Sequence, residues 1–222
     1  QAEAKVTDTA AYYEDVLGYD LVGGMNIALS YDSQAPYSFL IYEGKVLQDL
    51  NSSDPLMNQH TGKCQTYLAI YKDGSCELRS NTEPYDGNEW HAVGANFSWL
   101  VKDGQLVSKT PERTSAPASR SMLGILPDGS LIMCMVDGRG ANNSVGLSNY
   151  EMGEFMLALG CVNAVNGDGG GSSTFISRRE GETELTMRSV PSDGSERPTL
   201  HSVFLAKKEG VEPGIFDHAN VE

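Results

Sequence analysis

Cys161-Val-Asn-Ala-Val-Asn-Gly-Asp168-Gly-Gly-Gly-Ser-Ser-Thr174 carries an apolar strand pattern directly into an acid, three glycines and two hydroxyls. Val162, Ala164 and Val165 suit a sheet interior, and Asp168 sits where packing stops. Gly169, Gly170 and Gly171 leave backbone N–H groups open to close approach, because no Cβ stands in the way. Ser172 and Ser173 add donors, so an anion or a polyhydroxylated ligand suits the loop. A flexible Gly/Ser surface loop is the plainer alternative. The strand-like Thr174-Phe-Ile176 that follows favours a fixed turn between two strands.

Upstream, Ser148-Asn-Tyr-Glu151 forms a capping box, in which each side chain satisfies an orphan backbone donor. It opens a helix over 149–159 with Tyr150, Phe155, Met156 and Leu159 as its apolar face, and Gly160 closes it. Strand 131–136, helix 149–159 and strand 161–166 therefore read as a βαβ unit with two parallel strands in one sheet. Their C-terminal ends share an edge, which brings Asp137-Gly-Arg139 and Asp168 together, where open α/β sheets hold ligands.

Elsewhere, apolar runs broken by turn dipeptides read as hairpins. They are Phe39–Tyr42 with the Glu43-Gly44 turn, Thr66–Tyr71 with Cys76–Leu78, Trp90–Val101 with Gln105–Val107, and Ser121–Leu126 with Leu131–Val136. Met25–Leu29 is the first core strand, and 174–176, 184–188 and 202–206 are later ones. The expected class is α+β: a mixed β-sheet core with that βαβ unit and several β-hairpins. Residues 1–20 read as a lead-in segment with a short helix, 21–206 as one catalytic domain, and 207–222 as a surface tail.

The 222 residues are enough for a substantial core without metals or disulfides. Sixteen basic against thirty acidic side chains give a net charge of −14, and no basic run exceeds two residues, which argues against nucleic acid as a partner. An anionic substrate then requires a local cluster of arginines. No apolar stretch approaches the length of a membrane span. The chain starts at Gln1 rather than Met, as a processed or excised piece would, and three sequons begin at Asn51, Asn96 and Asn142. The expected location is exported, cell-surface or lumenal. The sequence does not specify an oligomeric state.

Cys64, Cys76, Cys134 and Cys161 lack zinc-ligand spacing, so no metal or other cofactor is expected. Free thiols are expected for Cys134 and Cys161, brought close by adjacent strands; Cys64 and Cys76 stay open. There is no P-loop, no H-E-x-x-H, and no nucleophile elbow, since Thr174 stands where an elbow needs glycine. What remains is a set of loop charges: Arg120, Asp137, Arg139, Asp168 and Arg197. Guanidinium forks match phosphate oxygens, and carboxylates serve glycosyl transfer. Singly, each is as readily an ordinary surface ion pair.

Asn26 after the first core strand, Arg120-Ser-Met-Leu-Gly-Ile, Val136-Asp-Gly-Arg139, Gly146-Leu-Ser-Asn-Tyr-Glu151, Asn166-Gly-Asp-Gly-Gly-Gly-Ser-Ser173 and Pro191-Ser-Asp-Gly-Ser-Glu-Arg197-Pro stand in this order. The arrangement resembles the phosphodiester glycosidase family over about residues 20–206. The resemblance implies cleavage of the sugar C1–O bond of a sugar-1-phosphodiester, of the N-acetylglucosamine-1-phosphodiester type, with release of the sugar and a phosphate monoester. A phosphate monoester leaves readily, so the site needs charge neutralisation beside a carboxylate that supports an oxocarbenium-like centre. Arg120, Arg139 and Arg197 would neutralise, and Asp168 would be the carboxylate, on a loop expected to be exposed. Asp137 would hold Arg139 or share the base role, Gly169, Gly170, Gly171, Ser172 and Ser173 would bind oxygens, and Asn26 would touch the sugar. Gly167 replaces the family's leucine before Asp168, and a looser strand end is expected there. Ile27-Ala28 follows Asn26 in place of a Gly-Gly-Phe type of run. Trp90 and Trp99 suit sugar stacking, though core packing is the commoner use. A non-catalytic glycan- or phosphate-binding module of a larger protein is the alternative.

Overall fold

The computed structural model describes residues 3–27, 39–48, 66–83, 85–95, 98–107 and 116–207. The chain runs α1 (Val6–Asp15), β1 (Leu21–Asn26), β2 (Leu40–Tyr42), β3 (Lys45–Gln48), β4 (Thr66–Tyr71), β5 (Cys76–Ser80), β6 (Glu89–Ala95) and β7 (Trp99–Lys102). It continues through β8 (Gln105–Leu106), β9 (Arg120–Ile125), β10 (Leu131–Val136), α2 (Asn149–Ala158), β11 (Asn163–Asn166), β12 (Phe175–Ser177), β13 (Thr186–Met187) and β14 (Ser202–Ala206). Cys64, Ala28, Leu29, the sequons at Asn51 and Asn96, and the tail from 208 lie outside the described residues.

Three sheets form, with strand orders β13-β12-β1-β14, β10-β9-β11-β7-β8 and β3-β2-β6-β4-β5. Met25, Ile27, Leu68, Val93, Leu123, Val165 and Val203, drawn from all three, pack into one central cluster. The period-two pattern of β9 explains how one strand serves two layers. Leu123 and Ile125 enter that cluster, while Met122 turns to the other face and meets Met152 and Met156 of α2. Gly124 lets the layers close: a Cβ there would strike Cys161 and lie 2.6 Å from Met156 Cε.

The α+β expectation fits in its broad form, with two corrections. Every ladder among the described residues is antiparallel, so no sheet is mixed. Strands β10 and β11 run parallel to each other in one sheet, but β9 lies between them and pairs with both. The expected βαβ unit of adjacent strands is therefore not present. Sequence pattern gives each strand's direction but not which hairpin partner inserts between two others. The shared edge survives, because Val136 pairs with Arg120 and Asn166 with Met122. Both strands thus discharge their loops at the start of β9.

The stretch read as one strand, Trp90–Val101, divides into β6 and β7 in different sheets. Helix α2 has the expected capping box. Its buried face is Met152, Gly153 and Met156, whereas Phe155 and Leu159 are exposed. Gly153 sets that rotation, since a Cβ there would sit 2.7 Å from Leu106 Cδ2. Helix α1 packs Val6 and Ala10 against Leu21 and Ile176. Cys134 and Cys161 are free thiols, and burial pushes Cys134 up to about 11.

Candidate active site

Two backbone bonds fix the Asp168 loop at the seam between sheets. Gly167 N–H donates to Ser121 O at 2.8 Å, and Asp168 N–H donates to Ile27 O at 3.0 Å. Ser121 Oγ donates to the Asp168 carbonyl. Gly167 does not loosen the strand end: a Cβ there would lie 2.6 Å from Ser121 Oγ and 3.3 Å from Ile27 O, so the close seam requires glycine. The glycine run then folds into a short 3-10 turn over Gly170–Ser172, and Gly170, Gly171, Ser172 and Ser173 are all buried.

Asp168 is itself buried, at 6% exposure, contrary to the expected exposed carboxylate. Its Oδ2 accepts from Asn26 Nδ2 at 2.9 Å and from Ser172 Oγ at 2.5 Å. Burial raises its carboxyl above the usual range, opposed by Ser172, the Gly169 N–H, Asn26 and the charge of Arg197. A carboxylate offers about four lone-pair directions. Three donors converge on this one, which leaves a direction for a water or a reacting centre.

Asn26 is fully buried, and both ends of its amide are engaged. Its Oδ1 accepts from Thr174 N–H at 2.8 Å while its Nδ2 holds Asp168. The structure thus places it behind the carboxylate. The glycine N–H groups are also partly used: Gly170 donates to Ser119 O at 2.8 Å and Ser173 to Gly170 O at 3.2 Å.

The arginines approach from three sides. Arg120, at the start of β9, donates Nε to Leu147 O and Nη2 to Ala116 O, both at 2.9 Å. Burial and the neighbouring Arg139 charge lower its guanidinium pKa. A Cβ on Gly169 would come 3.5 Å from Arg120 Cδ, and one on Gly170 would come 2.9 Å from Arg139 Nη2. Gly170 also has φ +81°, so glycine is required there twice over. Arg139 has φ +56° and makes no ion pair among the described residues. Holding a non-glycine residue in that region costs about 1 kcal/mol. Bonds that pin its loop offset the strain, including Ser144 Oγ to Asp137 O at 2.6 Å and the Ala118–Leu147 bridge.

Asp137 does not hold Arg139. Its Oδ1 accepts from Val190 N–H at 2.9 Å and its Oδ2 from Asn142 Nδ2 at 3.4 Å, so it ties the 137–144 loop to the start of the 191–198 loop. Arg197, on that second loop, pairs with Asp193, whose carboxylate presses on Gly171 where a Cβ would clash. Glu196 joins this loop to α1, accepting from Thr7 N–H at 3.1 Å and from Thr7 Oγ1 at 2.6 Å. Asp193, Glu196, Ser119 and Ser121 were not singled out from sequence. Asp193 and Glu196 stood inside a quoted motif, and the i,i+4 spacing of Asp193 and Arg197 was the available signal.

Among the described residues, the hydroxyls of Ser119, Ser173 and Ser192 are buried without a hydrogen bond. They lie on segments that meet at Asp168. The same residues contain no group of three or more His, Cys, Asp or Glu placed to hold a metal, and no helix long and apolar enough to cross a membrane. Trp99 packs against the central cluster under Lys102, and Trp90 lies beneath Lys72. A cavity of about 330 Å³ lies apart from this chemistry, lined by Tyr13, Tyr42, His91, His201 and Phe204. It includes none of the arginines or Asp168.

A sequence profile of the phosphodiester glycosidase family matches residues 19–205. The bovine N-acetylglucosamine-1-phosphodiester alpha-N-acetylglucosaminidase is 38% identical over 173 residues, which cover 70% of this chain and 31% of that protein. The human protein of that name is 25% identical over the same length, covering 70% and 32%. A Bacillus subtilis prophage-derived uncharacterized protein, YomE, is 34% identical over 149 residues, covering 62% and 21%. The chain thus spans at most about a third of these relatives. In three dimensions it resembles the zebrafish catalytic domain of the same named enzyme, auto-inhibited by its pro-peptide. The TM-score is 0.66 at 18% identity, covering 93% of this chain and 68% of that one, a likeness of fold.

Proposed function

Because the chain belongs to the phosphodiester glycosidase family, we propose that it hydrolyses the C1–O bond of a sugar-1-phosphodiester, releasing the free sugar and a phosphate monoester. The observation that carries this reading is a buried carboxylate, Asp168, braced by Asn26, Ser172 and Gly169 and approached by the guanidiniums of Arg120, Arg139 and Arg197. Arg120 and Arg139 crowd like charges together, an arrangement that an anionic ligand relieves.

The phosphate lies against the arginines, which stabilise the charge that builds on the leaving oxygen. Asp168 faces the sugar carbon, where its charge supports an oxocarbenium-like transition state or draws a proton from attacking water. Its raised pKa keeps it a competent base while the three donors keep it oriented. The unpaired hydroxyls of Ser119, Ser173 and Ser192 supply donors to phosphate or sugar oxygens. Asn26 acts through Asp168 as a positioning residue, and Asp137 by aligning two loops. The names of the bovine and human relatives make α-linked N-acetylglucosamine the first sugar to test.

The test is sugar release from a panel of sugar-1-phosphodiesters, N-acetylglucosamine and glucose among them, with Asp168→Asn as control. Release by the native chain and its loss in the variant supports the reading. Tight binding of the panel with no release supports a binding module instead.

A further inference from the structure

We propose that the Asp193 carboxylate is a charge filter at the mouth of the site, admitting a monoanionic phosphodiester and expelling the dianionic phosphate monoester. The inference rests on the hydrolytic reading above and concerns the same site. Asp193 pairs with Arg197, presses on Gly171, and reaches that position only because residue 171 has no Cβ. The Arg197 charge in turn acts on the Asp168 carboxylate. A negative group therefore stands among the cations that hold the phosphate, one residue from the turn that carries Ser172. The two side chains are 42% and 53% exposed, so the pair adds little to folding. Its placement matters more for what approaches Arg197.

Hydrolysis changes the charge that the site must hold. Water supplies hydroxyl to the sugar carbon, the phosphate oxygen keeps the bonding electrons, and one proton is released. The diester carries one negative charge. The monoester carries close to two at neutral pH and above, since its second pKa is about 6. Coulomb energy scales with the product of charges, so Asp193 opposes the product twice as strongly as the substrate at the same position. The arginines alone would retain the product; the carboxylate returns to Arg197 as the monoester leaves.

The test is calorimetric titration of the chain at about pH 8 with methyl phosphate, a dianion, and dimethyl phosphate, a monoanion. Asp193→Asn should tighten methyl phosphate by about tenfold and dimethyl phosphate by about threefold, the ratio that charge doubling demands. Asp193→Glu keeps the charge and should tighten neither by as much. Asp128→Asn, in the turn at the far end of β9 and β10, controls for net charge and should move neither. Equal tightening of both esters, weaker binding of both, or no binding by the native chain overturns the filter. Sugar release by the native chain with charge-independent shifts overturns the filter alone. Absence of release from every sugar-1-phosphodiester overturns the hydrolytic reading, and the product-exit role with it.

Discussion

Asn26 Nδ2 donates to Asp168 Oδ2 at 2.9 Å across 142 positions of sequence, while the same amide accepts from Thr174 N–H at 2.8 Å. One side chain from β1 therefore closes both ends of the glycine loop. Asn26→Ala should leave the Thr174 N–H and one Asp168 contact unmade in a dry site, costing about 1–3 kcal/mol of stability. Denaturant unfolding reads that loss. Turnover should fall by about tenfold or more with a small change in KM, the sign of a residue that orients the base.

Asp168→Asn should lower kcat by at least about 10²-fold. It should not lower stability, because burial disfavours the charged carboxylate and the amide retains an oxygen for Asn26 and Ser172. A group whose folded pKa is raised contributes stability that is complete below its unfolded pKa and is lost as pH rises through the folded value. The stability of the native chain relative to Asp168→Asn should therefore decline as pH rises above the ordinary carboxylate range. Paired denaturant titrations across that range check it, and a rising difference contradicts it.

His201 has the opposite sign. It is buried beside the aromatic cavity, and burial lowers its pKa from 6.5 to about 4. Its stability contribution is complete above 6.5 and is lost as pH falls toward 4, amounting to about 3 kcal/mol at most. His201→Gln should flatten the acid limb of the stability profile between those values. An unchanged limb assigns acid unfolding to other groups.

Glu196 links α1 to the loop of Arg197 through two bonds to Thr7. Glu196→Ala should raise KM for a phosphodiester by about threefold with kcat nearly unchanged, because it frees a binding loop without touching the base. Steady-state kinetics separates the two constants. A kcat effect equal to that of Asn26→Ala would place Glu196 in the orientation of Asp168 instead.

Much of the site was legible because its determinants are local. A strand pattern ending at Asn166 and a capping box at Ser148 announce themselves within a few residues, and the shared edge of β10 and β11 followed from strand direction. The insertion of β9 between them was not legible, since which hairpin strand pairs outward depends on the core of Leu123, Met122 and Met156. Nor was the burial of Asp168: a Gly-rich flank resembles a solvated loop until Ile27, Ser119 and Ser121 close over it. The Asn26 side chain was expected at the sugar because one-dimensional order gives no depth. The split of residues 90–101 into two sheets likewise depends on tertiary pairing, with β6 joined to β2 and β4 and β7 to β11.

The most direct measurement of the central claim is hydrolysis of an N-acetylglucosamine-1-phosphodiester in ¹⁸O-water, with mass analysis of the phosphate monoester. Attack at the sugar carbon, as Asp168 and the three arginines are arranged to support, leaves the monoester without label while free sugar accumulates. Label in the phosphate would show cleavage at phosphorus and contradict the account.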